Sequence, residues 1–95
     1  MAEKISTSEI QQKLKELDGW RLSGNAIKKQ FVFKSFMPAV QFVNRVAERA
    51  EAADHHPDIM INYRKVTMVL STHSAGGLTQ KDFALANQID GIVNG

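Results

Sequence analysis

The stretch D-H-H-P-D-I-M-I-N-Y-R-K-V-T-M-V-L-S-T-H, residues 54–73, decides how this chain folds. D-I-M-I-N-Y (58–63) and V-T-M-V-L-S-T (66–72) alternate or run apolar over strand lengths, with Arg64-Lys65 between them. A two-residue turn there pairs Tyr63 with Val66, Ile61 with Met68 and Ile59 with Leu70. All three pairs are apolar and share one face, which supports the register. Extended outward, the same register sets Thr72 against Pro57 and His73 against His56. Arg-Lys is poor chemistry for a two-residue turn, so a slip of two stays open, and His73 remains within a few residues of the pair either way. Pro57 pushes His56 into an extended conformation, while His55 can occupy the last turn of the preceding helix. Glu51, four residues before His55, then lies one helical turn back on the same face. The hairpin therefore predicts that all three histidines of the chain meet at one end.

Working outward, Ser35 caps a helix that tolerates Pro38 in its first turn. Phe36, Val40, Val43, Ala47 and Ala50 share its inner face, widened by Phe42 and Val46, with Arg45, Glu48 and Arg49 mostly opposite. At the N-terminal side, Ser6 with Glu9 fits a capping box and Ile5 with Ile10 a hydrophobic staple. Ile10, Leu14 and Leu17 form that helix's stripe, ended by Asp18-Gly19. W-R-L and A-I-K-K-Q-F-V-F follow as strands around Gly24-Asn25. After S-A-G-G, Thr79 caps a last helix with Leu78 and Phe83 as staple and Phe83, Ala86, Ile89 and Val93 inside. The order is α-β-β-α-β-β-α: an α+β class, with a four-stranded antiparallel sheet and three helices on one face. The sheet's second face is only partly apolar, at Met60 and Val69, and suggests a homodimer or homotetramer.

Ninety-five residues are expected to form one domain, 1–95, with a single core. A hydrophobic share of 43% with 23% charged residues argues against wholesale disorder. Without cysteine there is no disulfide framework, thiolate metal site or cysteine nucleophile. A net charge of +2 is spread along the chain, so no basic cluster points to direct nucleic-acid binding. No stretch reads as a signal peptide or a membrane span, and the expected location is cytoplasmic, with the nucleus added in a eukaryote.

Each chemical reading of the histidines has a plainer one beside it. His55 or His56 can simply complement the helix dipole, and His73 can be an ordinary polar residue at a strand end. Three histidines and a carboxylate can hold zinc, although adjacent histidines aim poorly at one ion. Ser71, Thr72 and Ser74 lie near His73 without a triad order or an oxyanion turn. Asp82, three residues after Thr79, suits a helix N-terminus or the site. Gly76-Gly77 matches no phosphate loop. Trp20 and Tyr63 read as half-buried aromatics, either able to border a flat ligand. Convergence of the three imidazoles favours acid-base chemistry, with no metal.

Glu51, three residues, His55-His56-Pro57, five residues, Tyr63, nine residues, His73, eight residues and Asp82 together resemble the pterin-4a-carbinolamine dehydratase signature. It spans 32 of 95 residues, and L-S-T-H, G-L-T-x-x-D and the element order extend the likeness. The resemblance implies dehydration of 4a-hydroxytetrahydropterin to quinonoid dihydropterin in tetrahydrobiopterin recycling, with no cofactor, the pterin being the substrate. Imidazole suits this because one ring can donate a proton while another accepts one near neutral pH. By motif position, His55 and His73 resemble the acid-base pair and His56 a substrate-holding histidine that assists. Glu51 and Asp82 would orient and tune them. His55, His56, Pro57, Thr72, His73, Ser74 and Ala75 would line the pterin pocket. The family also implies two other roles: a dimerisation cofactor for a transcription factor in animals, and work on molybdopterin.

Overall fold

The computed structural model describes residues 3–94. Helix α1 (Thr7–Lys15) leads to strands β1 (Arg21–Ser23) and β2 (Ala26–Val32), helix α2 (Phe36–Ala53), strands β3 (Asp58–Asn62) and β4 (Lys65–Leu70), and helix α3 (Gln80–Asn94). The strands form one antiparallel sheet in the order β1-β2-β4-β3. Val66, Met68 and Leu70 of β4 and Ile27 and Phe31 of β2 point to one side, where Ala39, Phe42 and Val46 of α2 and Phe83, Leu85, Ala86 and Ile89 of α3 complete the core. Ile10 of α1 and Trp20 close its edge. Fully burying side chains of this kind contributes about 1.5–3 kcal/mol each, which fixes the helices to this face.

Local signals place most boundaries. Ser6 caps α1 by accepting the Glu9 N–H at 3.2 Å, and the helix stops at Lys15, before Asp18-Gly19. Ser35 occupies the cap position of α2 without a side-chain hydrogen bond. The buried stripe of α2 is Ala39, Phe42, Val46 and Ala50, so the inner face is rotated from the expected one. Phe36 is 47% exposed and Ala47 exposed, while Val40 and Val43 lie at the margin. In α3, Val93 is 43% exposed, and Leu85 with Ile92 takes the inward positions. A polar clamp holds α3 to β2: Asp90 accepts from Trp20 Nε1 at 3.1 Å and from Lys29 Nζ at 2.9 Å.

The β3–β4 hairpin is slipped by two from the expected register. Asn62 pairs with Lys65, Ile61 with Val66 and Ile59 with Met68, so the turn is Tyr63-Arg64 and Tyr63 adopts a left-handed φ of 56°. The cause is the neighbouring strand. Phe33 N–H donates to the Arg64 carbonyl at 2.9 Å, and Arg64 Nη1 donates to the Phe33 carbonyl at 3.0 Å. With Arg64 held there, Lys65 joins β4 opposite Val32, and Phe31 meets Val66. A shift of two keeps every side chain on its face. Tyr63 itself is 66% exposed, not half-buried.

Candidate active site

The chain reaches the site by a sharp exit from α2. Ala53 is its last helical residue, and Asp54 turns left-handed at φ 51°. Asp54 N–H donates to the Glu51 carbonyl and His55 N–H to the Ala50 carbonyl, at 3.2 and 3.1 Å, which is a Schellman ending. His55 is therefore outside the helix rather than in its last turn. The expected Glu51–His55 alignment gives way to two crossed pairs. Asp82 Oδ1 accepts from His55 Nε2 at 2.6 Å, and Glu51 Oε2 accepts from His56 Nε2 at 2.5 Å.

These pairs differ in surroundings. The His55 and Asp82 side chains are 10% and 0% exposed, whereas those of His56 and Glu51 are 55% and 77% exposed. The first is a dry, oriented carboxylate–imidazole contact and the second a solvated one of little energetic weight. Asp82 is held because α3 begins beneath the cleft: Asp82 Oδ2 accepts the Thr79 N–H at 2.9 Å and the Thr72 hydroxyl at 2.8 Å. His73 opens a single 3₁₀ turn, His73–Ala75, after β4. That turn is stitched at its base by Thr72 N–H donating to the Gly77 carbonyl at 2.9 Å, and Asn25 Nδ2 braces it by donating to the Gly76 carbonyl at 3.3 Å.

One open cleft of about 430 Å³ is lined by His55, His56 and His73 together with Asp54, Ser71, Thr72, Ser74 and Lys81. The three imidazoles thus share one cavity, as the hairpin predicted, although the slipped register puts Ser71 opposite His56 and leaves the turn to carry His73 there. Pro57 and Ala75 lie outside the lining, Glu51 acts on it only through His56, and Asp82 lies behind His55. Among the described residues, no three of His, Cys, Asp and Glu are disposed to hold one metal ion.

Sequence reasoning missed Asp54, Lys81 and the hydroxyl of Thr79. Asp54 carried one signal: an acidic residue at the negative end of a helix runs against the helix dipole. Thr79 was legible only as the cap of α3 and Lys81 only as part of its first turn, because their place beside the cleft depends on where that helix docks.

The model of the family described as Pterin 4 alpha carbinolamine dehydratase matches residues 3–92. A protein of Roseiflexus sp. (strain RS-1), provisionally named a pterin-4-alpha-carbinolamine dehydratase, is 57% identical over 93 residues, spanning 98% of this chain and 100% of its own length. One from Picosynechococcus sp. (strain PCC 7002) with the same name is 53% identical over 90 residues, or 95% and 98% of the two chains. The crystal structure of a transcriptional coactivator/pterin dehydratase from Brucella melitensis superposes with a TM-score of 0.91 at 37% identity, over 95% of this chain and 98% of that one. A pterin dehydratase-like protein identified as a RuBisCO assembly factor in the alpha-carboxysome superposes at 0.67 with 25% identity, over 78% and 88%. By this fold, this cleft and these matches, the chain belongs to the pterin 4 alpha carbinolamine dehydratase family.

Proposed function

We propose that this protein is a hydro-lyase that removes water from a 4a-hydroxytetrahydropterin to give the quinonoid dihydropterin. The observation that carries this is one cleft walled by three imidazoles, only one of which is locked to a buried carboxylate. In the reaction the C4a–O bond breaks, the leaving oxygen takes a proton to become water, N5 loses its proton, and the C4a–N5 double bond forms. One general acid and one general base suffice. An ionised carboxylate only accepts, so the Asp82 contact keeps the His55 proton on Nε2 and leaves Nδ1 as the free ring nitrogen. His73, exposed on its turn, supplies the second proton-exchanging ring. His56, steadied by Glu51, holds the pterin, with the backbone of Thr72 and Ser74 beside it and the backbone about Pro57 and Ala75 at its margin.

No metal enters this scheme. Purified protein is expected to speed dehydration without added metal and to keep its rate in chelator. Loss of rate in chelator with recovery on adding zinc would overturn the acid-base reading. The physiological setting proposed is tetrahydrobiopterin recycling in the cytoplasm by a homodimer or homotetramer. A parallel assay with molybdopterin precursors separates the two pterin classes.

The coactivator named in the Brucella relative motivates a second reading, an interaction protein with a transcription-factor partner. A pull-down that recovers such a partner and survives His55→Ala would separate that role from chemistry.

A further inference from the structure

Behind the cleft, the polar groups form a chain whose hydrogen-bond directions are determined one by one. Asp82 Oδ2 accepts the Thr72 hydroxyl at 2.8 Å, which uses the only proton that hydroxyl has to give. The 2.8 Å contact between the two threonine hydroxyls must then run from Thr79 to Thr72. Thr79 Oγ1 in turn accepts the Lys81 N–H at 3.2 Å. The direction is therefore Lys81 N–H to Thr79, Thr79 to Thr72, Thr72 to Asp82, with His55 Nε2 donating to the other carboxylate oxygen. Thr79 and Asp82 are 0% exposed and Thr72 is 5% exposed, so water does not compete for these bonds.

Helix capping explains only half of this. A cap needs Thr79 Oγ1 to receive the Lys81 N–H and Asp82 to receive the Thr79 N–H, and both bonds are present. It does not need Thr72, which comes from beyond the end of β4 and joins the carboxylate across the fold. We propose that Thr72 and Thr79 are positioning residues for the dehydration: their aligned hydroxyls fix the Asp82 carboxylate so that its remaining oxygen faces Nε2 of His55 and orients that ring. A row of aligned hydroxyls strengthens each link in the chain. Neither hydroxyl is asked to touch the substrate. The catalytic consequence rests on the dehydratase reading, but the ring's orientation does not.

Nitrogen-15 NMR of the histidine side chains, with steady-state kinetics, tests this on the full chain. In Thr72→Val the carboxylate loses one donor and draws harder on the imidazole proton. The His55 Hε2 resonance should move downfield, with kcat falling about five- to tenfold, the size of one lost hydrogen bond, and KM unchanged within about twofold. Thr72→Ser and Thr79→Ser keep the hydroxyls and should restore both the resonance and kcat. An unmoved Hε2 resonance in folded Thr72→Val, or serine variants that behave like valine, would overturn the proposal. If the unaltered protein dehydrates no pterin, the dehydratase reading fails, while the resonance still decides the hydroxyl chain.

Discussion

The buried carboxylate of Asp82, on the first turn of α3, meets Nε2 of His55 at 2.6 Å across 27 residues of sequence. Its counterpart, Glu51 with His56, spans five residues and lies in solvent. A carboxylate–imidazole pair thus occurs twice at one cleft, once dry and once wet. A dry charged contact orients a ring far more firmly than a wet one.

Asp82→Asn is therefore expected to lower kcat on the order of a hundredfold, the lower range of what a positioned acid-base group supplies. The protein should stay folded, because an amide can keep part of the Thr72 and Thr79 contacts. Kinetics beside circular dichroism checks this, and activity within threefold of the parent would remove Asp82 from the site.

Glu51→Gln should be mild. Its partner is more than half exposed, so stability should change by less than about 1 kcal/mol. The kcat loss should stay below about tenfold, smaller than for Asp82→Asn. Equal losses would mean that exposure does not rank the two carboxylates.

For His73→Ala the expected outcome is a kcat loss of about 10²-fold or more. The ring is exposed on a turn, so stability should shift by no more than about 0.5 kcal/mol. Unchanged turnover would show that the third imidazole is ornamental.

Asp54→Gly tests backbone strain. A left-handed φ of 51° and a negative charge at a helix C-terminus both cost free energy, and glycine removes both. Stability should rise by about 0.5–1 kcal/mol, visible as a Tm increase of several degrees in a chain this short. A lower Tm would show that Asp54 makes contacts that outweigh its conformation.

Element order and the face each strand buries were readable because period and caps are local: Ile59, Val66, Met68 and Leu70 declare one side whatever their partners. The hairpin register was not readable, because Arg64 is claimed by Phe33, just past the end of β2 and 31 residues away. The three histidines could be gathered from spacing, since a slip of two still leaves them near one end. Which carboxylate serves which ring was hidden. One left-handed residue, Asp54, rotates His55 off the helix and away from Glu51, and only the docking of α3 brings Asp82 to meet it.

The bonds between Phe33 and Arg64 and between Asn25 and Gly76 tie the first half of the chain to the second at opposite ends of the β2–β4 pair. They bridge 31 and 51 residues, so neither hairpin is complete until the other has arrived. A peptide carrying only residues 54–82 would hold all the ionisable groups except Glu51 that the chemistry uses, yet a lone two-stranded hairpin is at best marginally stable in water. The whole protein should therefore melt in one cooperative step, with the cleft vanishing together with the sheet.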